Sequence, residues 1–349
     1  MHRPSPIESP WAKRVDRRTP AERAVQHLLD GEAVLVEDRL STARAIYEVL
    51  VATLQPPADD APYAARQAYE KRLEAAASKL LVPVKNHALA LAGAPELGFI
   101  AALYPQLDRF AISYLGARRM LSAWSHYERG IHLAVLGHAV HPFFGTYAPT
   151  RTTHLELFAT WLAAYDGPLE RTADVGTGCG VLALMLARKG ARHVLATDIN
   201  PNAVRSVTDE LKRHPEAATV IEPRQADLLG DEQGPLDLIV FNPPWSHGPP
   251  DGPLATALTF DDALFPRFFD QAHAALAPHG RVVLLFSDLL RLTQPDVPHP
   301  IDAELEGGRF TLVDKLRRKV KASTTRDGRR RTTRERVEVW ELRKGDGPA

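Results

Sequence analysis

Asp174-Val175-Gly176-Thr177-Gly178-Cys179-Gly180 and, further along, Asn242-Pro243-Pro244-Trp245 decide the reading of this chain. A short apolar run, Ala173 and Val175, reads as a buried strand ahead of the glycines, and residues 181–187 read as a helix with an apolar face behind them. Strand, glycine turn and helix in that order let the backbone turn sharply with no Cβ between it and a ligand, which suits a nucleotide-like cofactor. The dinucleotide fingerprint places two residues between its second and third glycines, whereas Cys179 alone separates Gly178 from Gly180. The spacing argues against a nicotinamide dinucleotide. Cys179 itself reads as a small residue in a tight loop, since nothing beside it activates a nucleophile.

The next predicted strand, residues 193–197, ends in Asp198, where the second strand of a nucleotide-binding βαβ unit places a carboxylate for ribose hydroxyls. A helix over 201–213 follows, then a strand over 220–225 that ends before Asp227. A fourth strand, 236–241, runs directly into Asn242. Ligands of open α/β sheets sit at the carboxyl ends of the strands, so Gly176, Asp198, Asp227 and Asn242 are expected to line one pocket although they are distant in sequence.

Taken together, the glycine loop, Asp198 and the Asn-Pro-Pro-Trp motif resemble the class I S-adenosylmethionine-dependent methyltransferases, in the branch whose Asn-Pro-Pro-aromatic motif accompanies methylation of planar nitrogens. The resemblance covers the chain from about Tyr147 onward. It implies a Rossmann-like α/β fold with a seven-stranded sheet and S-adenosylmethionine as cofactor. It also implies a cofactor site made of Asp174, Gly176, Thr177, Gly178, Gly180, Asp198, Ile199, Asp227, Leu228 and Asn242.

The chemistry of such a target accounts for the motif on separate grounds. An amide or adenine amino nitrogen is conjugated, so its lone pair is delocalised and attacks a sulfonium methyl poorly. The Asn242 side-chain oxygen and a backbone carbonyl at Pro243 each accept one N–H, which fixes the nitrogen with its lone pair aimed at the methyl group. Two prolines stiffen this backbone, and Trp245 offers a flat face for a planar amide or base. Asn242, Pro243 and Trp245 are therefore the candidate catalytic residues. No base is needed before attack, because the proton leaves after the nitrogen has become cationic.

Composition sets the outer bounds. With 349 residues the chain is long enough for two domains. Lys plus Arg and Asp plus Glu balance at 43 each, with 44% hydrophobic and 25% charged residues, so bulk charge predicts no partner. The single Cys rules out an intrachain disulfide framework and a multi-cysteine zinc site, and suits a reducing cytoplasm. No apolar run has membrane-spanning length, and the Arg- and Pro-containing N-terminus has no secretory pattern.

Residues 2–18 read as an irregular tail with Trp11 pinning it to the body. Thr19-Pro20-Ala21-Glu22 matches a capping box, and a helix is expected from Pro20 to Gly31. Similar spacing predicts helices over 42–54, 62–81, 95–103 and 107–127, which makes residues 1–130 a helical domain assigned to substrate recognition. Residues 131–150 read as a β-hairpin linker with glycines at 137 and 145, and 151–349 as the catalytic domain. His132, His138 and His141 lie in the linker, but their spacing fits no compact metal site and no carboxylate lies near them in sequence, so no metal is expected.

Tyr147-Ala148-Pro149-Thr150-Arg151-Thr152-Thr153 leads into a predicted helix over 154–164. A helical N-terminal domain, a hairpin and this segment are similar to the protein-glutamine methyltransferases that act on release factors. That family brings the segment to the methionine end of the cofactor, which carries Thr152 and Thr153 over as candidates. Trp245 departs from the Tyr usual in that family, and the helical domain here is longer.

Residues 246–253 read as a Gly/Pro-rich flap, and two β-prone runs, 310–320 and 334–342, as a closing antiparallel pair. Between Lys315 and Arg336 stand eleven Lys or Arg and two acids, an excess of nine positive charges in a chain that sums to zero. Such a hairpin offers phosphate contact without an aromatic residue at its tip for base stacking. Three functions are compatible with these residues: methylation of a planar nitrogen on a protein or an RNA, methylation of a small-molecule amine under a helical lid, and non-catalytic nucleic-acid binding. Intact Asp198, Asp227 and Asn242 weigh against the last.

Overall fold

The chain forms two units, Arg3–Ser125 and, separately, Met1–His2 with His126–Ala349. The computed structural model describes residues 2–58, 63–248, 257–321, 323–324, 330–331 and 334–345.

In the first unit, β1 (Lys13–Val15), α1 (Ala21–Leu29), β2 (Val34–Val36), α2 (Leu40–Thr53), α3 (Tyr63–Ala77), β3 (Leu80–Lys85), β4 (Ala88–Leu89), α4 (Gly98–Leu103) and β5 (Arg109–Ser113) precede α5 (Tyr114–Arg129). Strands β1, β2 and β3 run parallel, and β3 pairs antiparallel with both β4 and β5. The expectation of a purely helical domain is therefore corrected: the helices accompany a five-stranded sheet. Strand β2 is three apolar residues, all buried, and β3 is a nearly continuous buried run. Both β3 and β5 carry runs of consecutive buried residues with no alternation, so periodicity merged β3 with the end of α3 and β5 with the start of α5.

Two local expectations also change. Ile7 bridges Ala111 and β1 joins the sheet, so residues 2–18 are not a loose tail, and Trp11 is 65% exposed and pins nothing. Thr19 does not cap α1: its hydroxyl accepts from the Asp16 N–H, and the helix begins after Pro20 with no side-chain cap.

In the second unit, β6 (Ile131–Leu133) and β7 (His138–Val140) form the expected hairpin, with Gly137 at φ +72° in its turn. Then come α6 (Thr153–Ala164), β8 (Arg171–Val175), α7 (Val181–Lys189), β9 (His193–Asp198), α8 (Pro201–Arg213), α9 (Pro215–Ala218), β10 (Ile221–Gln225) and β11 (Leu236–Phe241). A small pair, β12 (Ser246–His247) and β13 (Thr259–Phe260), follows, then α10 (Leu264–Ala275), β14 (Leu276–Ser287), α11 (Leu289–Thr293) and α12 (Pro300–Glu306). The remaining strands are β15 (Phe310–Lys319), β16 (Ser323–Thr324), β17 (Arg330–Arg331) and β18 (Arg336–Lys344). Most of the expected flap lies outside the described residues, as does most of the basic hairpin's tip.

Seven strands make one sheet in the order β10-β9-β8-β11-β14-β18-β15. The first five are parallel, and β18 is antiparallel to both β14 and β15. This is the α/β, Rossmann-like, seven-stranded arrangement expected from the sequence. Alternation along each strand feeds two cores. Leu238, Val240, Val283 and Leu285 pack with α6 and α7 on one face, while Ile239, Phe241, Val282 and Leu284 pack with the phenylalanines of α10 on the other. Strand order reverses at β8, with β9 on one side and β11 on the other, and a ligand crevice forms at such a switch point.

Candidate active site

Strand register brings the motifs together. Val175 pairs with Thr197 on one side and Phe241 on the other. The next residue of each strand or of the loop leaving it, Gly176, Asp198 and Asn242, therefore stands in one row along the sheet's carboxyl edge. A cavity of about 970 Å³ opens there, within the size range of ligand sites.

The loop conformation explains its glycines. Gly176, Gly178 and Gly180 have φ of +62°, +56° and +83°, a left-handed region that strains any residue with a Cβ. A Cβ on Gly178 would meet open space, so its absence leaves room against the backbone for a ligand. Behind the loop, Asp174 is wholly buried. Its Oδ2 accepts from the Thr177 hydroxyl at 2.6 Å and from the Ala183 N–H at 2.9 Å, which ties the loop to the first turn of α7. Burial pushes this carboxyl up to about 7.

Asp198 accepts from the Gly178 N–H at 2.9 Å through one oxygen and from the Asn200 N–H at 2.8 Å through the other. Burial raises its carboxyl despite these donors. Each oxygen retains a lone pair for a ligand hydroxyl. Asn200 and Asn202, at the start of α8, donate to the carbonyls of Gly145 and Phe144 at 2.8 Å each and so hold the segment that leads to Tyr147. Tyr147, Pro149, Thr150 and Arg151 then contribute to the cavity wall.

At the motif, Asn242 Oδ1 is buried and has no hydrogen-bond partner among the described residues. The Trp245 indole is fixed, because its Nε1–H donates to the Leu285 carbonyl at 3.2 Å and its ring meets His154 edge-on at 5.2 Å. Burial pushes the His154 imidazole down to about 4, so it is neutral near pH 7.

Gly176, Thr177, Gly178, Asp198, Ile199, Asp227, Leu228, Asn242, Pro243 and Trp245 all line the cavity. Asp174, Gly180 and Thr153 do not: the first supports the loop from behind, Gly180 faces Val207, and Thr153 is buried at the start of α6. Cys179 reaches the wall, but burial pushes its thiol up to about 12 and keeps it protonated. Sequence reasoning missed His154, Arg267 and Glu335. Arg267 pairs with Asp227, and Glu335 accepts from Ser287 Oγ at 2.8 Å. None of the three lies in a motif, so only the tertiary arrangement reveals them.

The basic hairpin is less available than its charge suggests. Lys315 and Arg317 both pair with Glu338 at 3.0 Å, Lys315 also lies over the Trp340 ring, and Arg318 and Lys321 pair with Glu156.

Residues 156–295 match the methyltransferase small domain. This segment is similar to methyltransferase domains. Its relatives include a ribosomal protein L11 methyltransferase of Exiguobacterium sibiricum, 38% identical over 28% of this chain and 30% of that protein. A tRNA1(Val) (adenine(37)-N6)-methyltransferase of Parabacteroides distasonis is 32% identical over 33% of this chain and 51% of its own length. A ribosomal RNA small subunit methyltransferase C of Chromohalobacter salexigens is 30% identical over 56% and 52%. The chain spans about half the length, or less, of these curated relatives. The matched segment contains the glycine loop, Asp198, Asp227 and Asn242, whereas Arg3–Ser125 lies outside it. No helix among the described residues is long and apolar enough to cross a membrane.

Proposed function

We propose that this protein transfers a methyl group from S-adenosylmethionine to a planar nitrogen of a macromolecule, the amide of a protein glutamine or the amino group of an RNA adenine. The observation that carries this reading is Asn242 Oδ1, an acceptor buried at the cavity wall without a partner among the described residues. An unsatisfied buried acceptor costs on the order of 1–3 kcal/mol, and a target N–H relieves that cost.

The loop Gly176–Gly178 and Asp198 have the chemistry to hold the cofactor, the backbone by close approach and the carboxylate by accepting from ribose hydroxyls. Bound S-adenosylmethionine supplies an electrophilic methyl on a sulfonium. Asn242 Oδ1 accepts one N–H of the target and the Pro243 carbonyl the other, which turns the nitrogen lone pair out of conjugation and toward the methyl group. Trp245 takes the plane of the amide or base. Its neighbour His154, held neutral, adds no positive charge where the nitrogen becomes cationic. The proton then leaves to water.

The names of the relatives, a ribosomal protein methyltransferase and two RNA methyltransferases, favour a macromolecular target. Substrate recognition is assigned to Arg3–Ser125, and the single buried Cys179 suits a reducing cytoplasm. The test is incubation of the protein with methyl-labelled cofactor and a cell extract. Label lost to protease or to ribonuclease identifies the target class. Label confined to small molecules, or equal labelling by an Asn242→Ala protein, overturns the reading.

A further inference from the structure

Around the C-terminal end of α8, the end remote from the sheet's carboxyl edge, lies a second group of chemically competent side chains. His138 on β7, Glu210 on α8 and His214 just beyond that helix each offer one ligand atom, and these atoms all lie within 4.8 Å of one another. His138 is distant in sequence from the other two, which stand four residues apart, and α8 supplies the carboxylate that the histidines of the linker lack locally.

The partners of these residues decide which atoms are available. His138 Nδ1 lies 3.0 Å from the Ala139 carbonyl, a geometry in which Nδ1 carries the proton and Nε2 the lone pair. His214 Nδ1 lies 3.5 Å from Glu216, and its Nε2 lies 3.3 Å from Glu210 Oε1. Metal-binding histidines use such outer partners, a carbonyl or a carboxylate on one ring nitrogen, to aim the other nitrogen at the ion. The two imidazoles lie with centroids 4.2 Å apart, which brings both rings to one place beside Glu210.

Glu210 supplies the second observation. Its side chain is almost fully buried, and Oε2 accepts from the His141 N–H at 3.0 Å, with His141 Nδ1 at 3.2 Å and Arg213 at 4.0 Å. Oε1 makes no hydrogen bond among the described residues despite the nearness of His214. A buried carboxylate with one oxygen left unsatisfied, grouped with two imidazoles, has the charge and the donor set of a zinc site.

We propose that His138, Glu210 and His214 bind a divalent transition-metal ion of the zinc class, clamping the β6–β7 hairpin to the end of α8. The inference is independent of the methyl-transfer reading. Tetrahedral ligands at about 2.0–2.1 Å from the ion stand roughly 3.3 Å apart, so a modest ring rotation closes the site. Three protein ligands leave the fourth position to water. The coordinating nitrogens and the carboxylate bind the ion through lone pairs that carry no proton.

The experiment uses the full chain, free of any polyhistidine tag, with Zn²⁺ and Co²⁺ alone as probes. Calorimetry is expected to show about one Zn²⁺ per chain. Co²⁺ is expected to give the intense visible bands of a tetrahedral site, and Zn²⁺ to raise the thermal midpoint. His138→Ala and His214→Ala, both at partly exposed positions, should each weaken Zn²⁺ binding by more than the ~10–100-fold that loss of an outer partner brings. His132→Ala should leave binding unchanged. Glu210→Gln is the less secure variant, because Glu210 also anchors His141, so circular dichroism of the apo-variant accompanies it. The absence of stoichiometric binding, or binding unchanged in both His138→Ala and His214→Ala, overturns the proposal.

Discussion

The Gly178 N–H donates to Asp198 Oδ2 across 2.9 Å, so the acid at the end of β9 shapes the glycine loop at the end of β8 before any ligand arrives. Asp198→Ala removes this acceptor together with the one proposed for ribose hydroxyls. Cofactor affinity should fall by a few kcal/mol at most, on the scale of hydrogen bonds to charged groups. Titration calorimetry of the variant checks it, and unchanged affinity for S-adenosylmethionine would remove Asp198 from the cofactor site.

Binding and chemistry should separate at Asn242. Asn242→Ala leaves the loop and Asp198 untouched, so cofactor affinity is expected to persist. Single-turnover methyl transfer should slow by at least ~100-fold, the scale of a lost positioning contact. A near-normal rate at saturating cofactor and substrate would reduce the motif to a packed loop.

Trp245 should act mainly on substrate binding. Its indole is anchored to the Leu285 carbonyl on one side and meets His154 on the other, so the ring orientation is set in advance. Trp245→Ala is expected to raise KM more than it lowers kcat, while Trp245→Phe keeps the flat face and loses only the anchor. Equal loss in kcat and kcat/KM for the alanine variant would count against a stacking role.

Asp174 makes the stability of the cofactor-free domain depend on pH. Its folded carboxyl is raised to about 7 from the usual 3.8, so the folded state binds the extra proton between those values. Stability from this group is complete below about pH 4 and is lost as pH rises through about 7, with a slope of at most about 1.4 kcal/mol per pH unit. Asp174→Asn should flatten the profile, leaving the contribution of Asp198, which is raised in the same direction. Urea denaturation at a series of pH values measures both, and an unaltered slope in the variant would assign the dependence elsewhere.

The seven-stranded half was legible because its signals are local and ordered. Each strand is a short apolar run, and the residue that leaves it is a glycine, an acid or an amide, so Gly176, Asp198 and Asn242 could be placed on one edge from sequence alone. The N-terminal half was misread for a physical reason. Leu80-Leu81-Val82 is buried on all sides and carries no period, so it passed for the end of the helix before it. Asp174 was expected in the cofactor site from the family resemblance, yet it holds Thr177 and Ala183 from behind. His154 gave no local signal, and Glu210 only its helical spacing to His214, since their other neighbours come from segments far away in the chain.

The place of β18 in the sheet bears on how the nascent chain folds. This strand is synthesised after β15 but lies between β15 and β14, pairing Trp340 with both Leu284 and Lys315. Until residues 336–344 leave the ribosome, β14 presents an unpaired edge bearing Val283 and Leu285, and β15 has no neighbour to pair with. An open apolar edge of this kind recruits other strands, so slow or interrupted translation near the codons for β18 should favour aggregation over a soluble intermediate.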